Sequence, residues 1–121
     1  MSESKIAIKR IKIEMKKLEI HKPKDYTYIV KDLFNWDVTI VGPPDTPYAG
    51  RDYLFNVTFT AEYPMKPPVM TFIRTSDNTP MKHNNITPNK VCVDILQDKW
   101  SPAMTIDALI IAIRSLIAKG D

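Results

Sequence analysis

Residues 34–40 read Phe-Asn-Trp-Asp-Val-Thr-Ile, and apolar and polar side chains alternate strictly along them. Successive side chains of an extended chain point to opposite faces. The alternation is therefore that of a strand with one face in a core and the other in water. Downstream, Tyr53, Phe55, Val57 and Phe59 alternate with Leu54, Asn56, Thr58 and Thr60, a second strand of the same kind. Between the two lies Gly42-Pro43-Pro44-Asp45, where ring-fixed φ angles and a turn-favouring aspartate predict a turn. Working outward, residues 26–30 form a less regular strand candidate, and residues 69–73, after Pro67-Pro68, a fourth. Strands in succession with short connections predict an antiparallel meander.

Helices flank this strand region. Ile8, Ile11, Met15 and Leu18 recur at spacings of three and four, one apolar stripe of a helix that Pro23 limits downstream. Near the other end, Thr105 is the predicted N-cap of a helix with Asp107 in its first turn. Its apolar face is Ile106, Leu109, Ile110, Ile113, Leu116 and Ile117, and it ends near Gly120. From 75 to 91 no periodicity is evident, and the stretch holds His83, Asn84, Asn85 and Asn89 with Pro80 and Pro88. A loop of that length in a compact domain is usually functional or disordered. The expected architecture is α+β: an N-terminal helix, a four-stranded antiparallel meander, a long active-site loop and a helix packed on the sheet. Residues 1–121 form a single expected domain.

Composition narrows the class. The chain is 44% apolar and 26% charged, an ordinary balance for a folded domain, with a formal net charge of +3. The cations are unevenly spread. Lys5, Lys9, Arg10, Lys12, Lys16, Lys17, Lys22 and Lys24 crowd the first segment against Glu3, Glu14 and Glu19. A basic surface of this kind suits an acidic protein partner or a polyanion, or is simply a solvated face. It lacks interleaved aromatics, so nucleic acid is not the expected partner. One cysteine excludes an intramolecular disulfide and points to a reducing compartment, cytoplasmic or nuclear. There is no apolar stretch fit for a signal peptide, the longest apolar run is too short for a bilayer, and no membrane partner is expected.

Cys92 is the natural candidate nucleophile, because a thiolate is the strongest one among side chains. Read locally, flanked by Val91 and Val93, it fits a small buried apolar residue equally well. A cysteine-protease arrangement needs a histidine against the thiol, and the histidines are His21, at the end of the first helix, and His83 in the loop. One Cys with two distant His is a poor zinc set, and there is no glycine-rich phosphate loop, so neither metal nor cofactor is expected.

A family resemblance resolves these readings. Residues 36–48, Trp-Asp-Val-Thr-Ile-Val-Gly-Pro-Pro-Asp-Thr-Pro-Tyr, resemble the strand and turn of ubiquitin-conjugating enzymes. Tyr63-Pro64-Met65-Lys66-Pro67-Pro68 is similar to that family's Tyr-Pro-x-x-Pro-Pro loop, and His83-Asn84-Asn85-Ile86 to its His-Pro-Asn-Ile motif. Cys92-Val93-Asp94-Ile95-Leu96, followed by Trp100-Ser101-Pro102-Ala103, resembles the active-site segment and the loop after it. The motifs stand in the family's order across nearly the whole chain.

The resemblance implies that Cys92 accepts ubiquitin, or a ubiquitin-like protein, as a thioester from the activating enzyme. It then passes the acyl group to a lysine amine of a substrate protein, commonly with a ligase. Asn85 matches the asparagine that stabilises the oxyanion or braces its loop, and His83 matches the residue that orders that loop. Lys5, Lys9, Arg10 and Lys12 match the surface met by activating enzyme and ligases; Met65, Trp100, Pro102 and Ala103 match ligase-contacting positions. Asp94 is no general base, since a carboxylate beside the thiol raises its pKa.

The chain departs from the pattern in three places. Asn84 stands where the family has proline, which loosens the loop. The stretch from 86 to 92 is one residue shorter and lacks the customary glycine, with Lys90 near its place. The sequence also stops after the helix that follows the active site, so a C-terminally short core with lower stability or more self-association is expected. These departures keep open a second reading, a non-catalytic module of the same fold that assists another conjugating enzyme.

Overall fold

The computed structural model describes residues 2–78, 86–87, 90–91 and 99–119. The alternating stretch forms β2, Asn35–Val41, whose Trp36, Val38 and Ile40 point inward and are fully buried. Ahead of it runs β1, Tyr26–Asp32, and after it β3, Asp52–Thr58, and β4, Val69–Thr75. They pair antiparallel in the order β1-β2-β3-β4, the expected meander. The register sets Val30 opposite Trp36, Trp36 opposite Val57 and Val57 opposite Met70, one row across the inner face. Asn35, Asp37 and Thr39 lie on the outer face, as their polarity requires.

The turn after β2 is built around Gly42. Its N–H donates to the Arg51 carbonyl at 2.9 Å, and a Cβ there would stand 2.0 Å from the Tyr48 carbonyl oxygen. Only glycine lets the returning backbone pass so close.

The first helix, α1, spans Ser2–His21. It ends where Lys22 takes a left-handed φ of 52° and donates its N–H to the Leu18 carbonyl, and Pro23 follows. Its buried stripe is Ala7, Ile11, Glu14 and Leu18. The apolar residues expected to share that stripe with Ile11 and Leu18, namely Ile8 and Met15, lie half-buried at its margin. A carboxylate thus takes a core position on α1, because the neighbouring elements supply its partners.

The last helix, α2, spans Ile106–Lys119. Thr105 caps it, its Oγ1 accepting from the Ala108 N–H at 3.1 Å. Ile106, Leu109, Ile110, Ile113 and Ile117 are all fully buried in the same core as the inner face of the sheet. Each such side chain contributes roughly 1.5–3 kcal/mol of burial, which makes α2 the main apolar counterpart of the sheet. At its first turn Asp107 accepts a hydrogen bond from the hydroxyl of the buried Tyr26 on β1.

The stretch expected to be irregular contains a short ladder. Residues Ile86–Thr87 (β5) and Lys90–Val91 (β6) pair antiparallel, and β6 lies against β4. Three of these four residues are β-branched, but strands of two residues are too short to show a period. Among the described residues no helix is long and apolar enough to cross a membrane.

Candidate catalytic segment and docking surface

A run of aromatic rings leads from the sheet to the segment that follows the candidate nucleophile. Trp36 stacks on Tyr28 and meets Phe59 edge-on at 5.2 Å; Phe59 meets Tyr63 at 4.8 Å, and Tyr63 lies 5.9 Å from Trp100. The indole Nε1 of Trp100 donates to the Pro64 carbonyl at 2.7 Å, beside the cis Tyr63–Pro64 peptide. Trp100 is therefore fixed by an apolar contact and a directed bond together, and the chain around it is anchored to the turn that carries Met65.

A polar cluster ties the same segment to α1. The Glu14 carboxylate is 2% exposed and carries three bonds. Oε2 accepts from Arg10 Nε at 2.8 Å and from the Tyr63 hydroxyl at 2.5 Å; Oε1 accepts from the Ile106 N–H at 2.6 Å. Arg10 in turn donates its two terminal nitrogens to the carbonyls of Pro102 and Met104, both at 2.7 Å. A buried carboxylate is tolerable only when paired and hydrogen-bonded, and here its charge also faces the positive end of α2. Burial first, and then the bond to Glu14, raise the pKa of the Tyr63 hydroxyl well above its ordinary value. Burial and Asp107 do the same for Tyr26.

These ties set α1, the 61–66 turn and the segment between Trp100 and α2 beside one another. Lys5, Lys9 and Lys12 stand out from α1; Met65, 69% exposed, stands out from the 61–66 turn; Pro102 and Ala103 are exposed between Trp100 and α2. Ile6 of α1 lines a shallow groove with Ala61, Tyr63 and Met65. Arg10 and Trp100, expected at partner-contacting positions, spend their polar atoms inside the fold: the guanidinium on Glu14 and backbone carbonyls, the indole on Pro64. Cys92, Asn85 and His83 lie outside the described residues. What flanks Cys92 in the description is β6, ending at Val91, and the segment that begins at Lys99.

Sequence reasoning missed Glu14, which it counted only as an acid among lysines. The signal was its position, three residues after Ile11 and four before Leu18, inside the apolar stripe. Among the described residues no group of three or more His, Cys, Asp or Glu side chains could hold a metal ion.

Comparison with known proteins agrees with the motif reading. The family model described as ubiquitin-conjugating enzyme matches residues 10–121. The chain belongs to the ubiquitin-conjugating enzyme family. Among solved structures, human ubiquitin-conjugating enzyme E2 G1 is 30% identical with a TM-score of 0.80, over 89% of this chain and 91% of that one. A ubiquitin-conjugating enzyme E2 from Plasmodium falciparum is 28% identical with a TM-score of 0.80, over 93% and 98%. UbcA1 from Agrocybe aegerita, at 24% identity, shares the fold with a TM-score of 0.85 over 93% of this chain and 82% of that one. The fold of the ubiquitin-conjugating enzymes is thus the frame in which the pinned 99–105 segment and the α1 surface are set.

Proposed function

We propose that this chain is a catalytically active ubiquitin-conjugating enzyme. The Cys92 thiolate attacks the thioester carbonyl of ubiquitin held by the activating enzyme, whose thiolate leaves. A neutral lysine amine of a substrate protein then attacks the Cys92 thioester, an amide forms as the carbon–sulfur bond breaks, the Cys92 thiolate leaves and the amine's proton passes to solvent. A thioester is already activated, so the protein's task is to position the amine and to stabilise the oxyanion of the tetrahedral intermediate. Asn85 donates its side-chain amide to that oxyanion, and His83 orders the loop that carries Asn85. The patch of Lys5, Lys9, Lys12, Met65, Pro102 and Ala103 receives the activating enzyme and a ligase.

The observation that carries this reading is the family match over residues 10–121, within which the chain's one cysteine falls in Cys92-Val93-Asp94-Ile95-Leu96 ahead of Trp100-Ser101-Pro102-Ala103. The test is a charging assay with activating enzyme, ATP and ubiquitin, run on non-reducing gels beside Cys92→Ala. A slower band that thiol removes, and that the variant lacks, is the expected result. Folded protein that accepts neither ubiquitin nor ubiquitin-like proteins would sink the proposal. The non-catalytic assisting module, which the Asn84 substitution favours, would then take its place.

A further inference from the structure

The outward face of α1 carries an apolar row that the fold leaves uncovered. Ile6, Ile13 and Ile20 are 55%, 44% and 76% exposed. They recur every seven residues, which at 1.5 Å per residue places them about 10 Å apart along a helix roughly 30 Å long. At 100° per residue the row lies about 130° around the helix from the buried stripe of Ala7, Ile11, Glu14 and Leu18, on an exposed flank of α1 beside the lysines that stand opposite that stripe. Lysines border it on both sides: Lys5, Lys9, Lys12 and Lys16 along one edge and Lys17 along the other, all exposed, with Glu19 the one exposed acid in the helix's last turns.

We propose that this face of α1 is a peripheral binding surface for an anionic lipid bilayer. In that complex α1 lies in the plane of the interface, its isoleucines enter the headgroup boundary, and its lysines reach up to acidic headgroups. Uncovered β-branched apolar side chains in a row gain nothing from water, and a lipid interface accepts them while long cationic side chains extend to the charged layer. Each lysine near an anionic surface adds attraction that salt screens.

The row does not suit the other partners that a basic helix attracts. A coiled-coil seam needs a second apolar position three or four residues after each isoleucine, and here those positions are Lys9 and Arg10, then Lys16 and Lys17. Nucleic acid would use the lysines and leave the isoleucines uncovered, and the exposed side chains of α1 include no aromatic on which a base could stack. The proposal does not depend on the chemistry of Cys92; it shares Lys5, Lys9 and Lys12 with the patch proposed for the activating enzyme and a ligase, so bilayer and protein partners would occupy α1 in turn.

The experiment is co-sedimentation of the full chain with phosphatidylcholine vesicles, with and without phosphatidylserine, at low and physiological salt. The double variant I13Q/I20Q replaces exposed side chains only, and Ile29→Gln, at 67% exposure on the sheet's outer face, is the control. The chain is expected to sediment with the phosphatidylserine vesicles and not with phosphatidylcholine alone. I13Q/I20Q should lose about tenfold or more in partition while the control keeps it, since each isoleucine gives up much of its apolar contact. Circular dichroism shows that each variant is folded. No partition by the wild-type chain overturns the proposal. So does partition that I13Q/I20Q leaves unchanged, which marks a solvated basic face, or equal isoleucine-dependent binding to soluble polyglutamate, which marks an acidic protein partner.

Discussion

The Glu14 carboxylate accepts the backbone N–H of Ile106, the first residue of α2, at 2.6 Å. The two residues are 92 positions apart, and the bond joins the N-terminal helix to the helix that faces the sheet. The same carboxylate orients Arg10, whose guanidinium holds the carbonyls of Pro102 and Met104. One buried acid therefore sets where α1, the 61–66 turn and the 99–105 segment stand relative to each other.

Removing that acid should be costly. Glu14→Ala leaves the Tyr63 hydroxyl and the Ile106 N–H without their acceptor and the Arg10 guanidinium without its counter-charge. Breaking a buried pair in this way costs about 3–5 kcal/mol. Glu14→Gln keeps one oxygen for Ile106 but turns an amide toward Arg10, so about 1–3 kcal/mol is expected. Urea denaturation measures both, and a loss under about 1 kcal/mol for Glu14→Ala would show that the cluster is not a structural tie.

The buried tyrosines predict how stability falls in base. In the folded chain the hydroxyls of Tyr63 and Tyr26 have pKa values raised above the ordinary 10.0, so folding favours their neutral form. Their contribution is complete below pH 10 and is lost as pH rises through the window above it, where the unfolded chain ionises first. The slope is about 1.4 kcal/mol per pH unit for each tyrosine. Tyr63→Phe should make the decline above pH 10 shallower, and should cost about 1 kcal/mol at neutral pH through the lost bond to Glu14. Denaturation midpoints from pH 8 to about 11 read both effects. Parallel curves for variant and wild type would contradict the assignment.

What the sequence made legible was whatever repeated. The alternation of 34–40 reappears as the inward Trp36, Val38 and Ile40 of β2, and the spacing of Ile106, Leu109, Ile110, Ile113 and Ile117 as the buried face of α2. The family motifs were equally readable, because residue order alone carries them. Partnerships across the fold were not. Glu14 on a helix rich in lysine reads as a solvated acid until Tyr63 and Ile106 arrive from distant parts of the chain. Arg10 reads as a surface cation until Pro102 and Met104 present their carbonyls. The β5–β6 ladder was hidden because two residues cannot display a period.

Two glycines separate backbone crowding from backbone strain. Gly42→Ala would drive a methyl to within 2.0 Å of the Tyr48 carbonyl and 2.7 Å of that of Arg51, both backbone atoms that cannot yield cheaply. A loss of about 3 kcal/mol or more is expected, with the turn between β2 and β3 displaced. Gly50 has a φ of 82° and open space around the added methyl, so Gly50→Ala should cost about 1–2 kcal/mol from the left-handed conformation alone. Thermal unfolding of the pair gives the order; Gly50→Ala as the more damaging change would contradict it.

The division of labour proposed between Cys92 and Asn85 is testable in single-turnover experiments. If Asn85 donates to the oxyanion when a lysine attacks, Asn85→Ala should still be charged with ubiquitin. It should transfer that ubiquitin to free lysine about 10²–10³-fold more slowly, the usual effect of removing one such donor. A residue that only braced its loop would behave otherwise: the variant would melt earlier, and transfer would fall by less than about tenfold. The loop position before it sharpens the comparison, because Asn84 stands where the family has proline. Asn84→Pro restores a fixed φ ahead of Asn85 and narrows the conformations the loop must give up. Transfer should then hold steady or rise in Asn84→Pro with Asn85 intact. In the double variant with Asn85→Ala it should stay low, since a stiffer loop without its amide has nothing to offer the oxyanion.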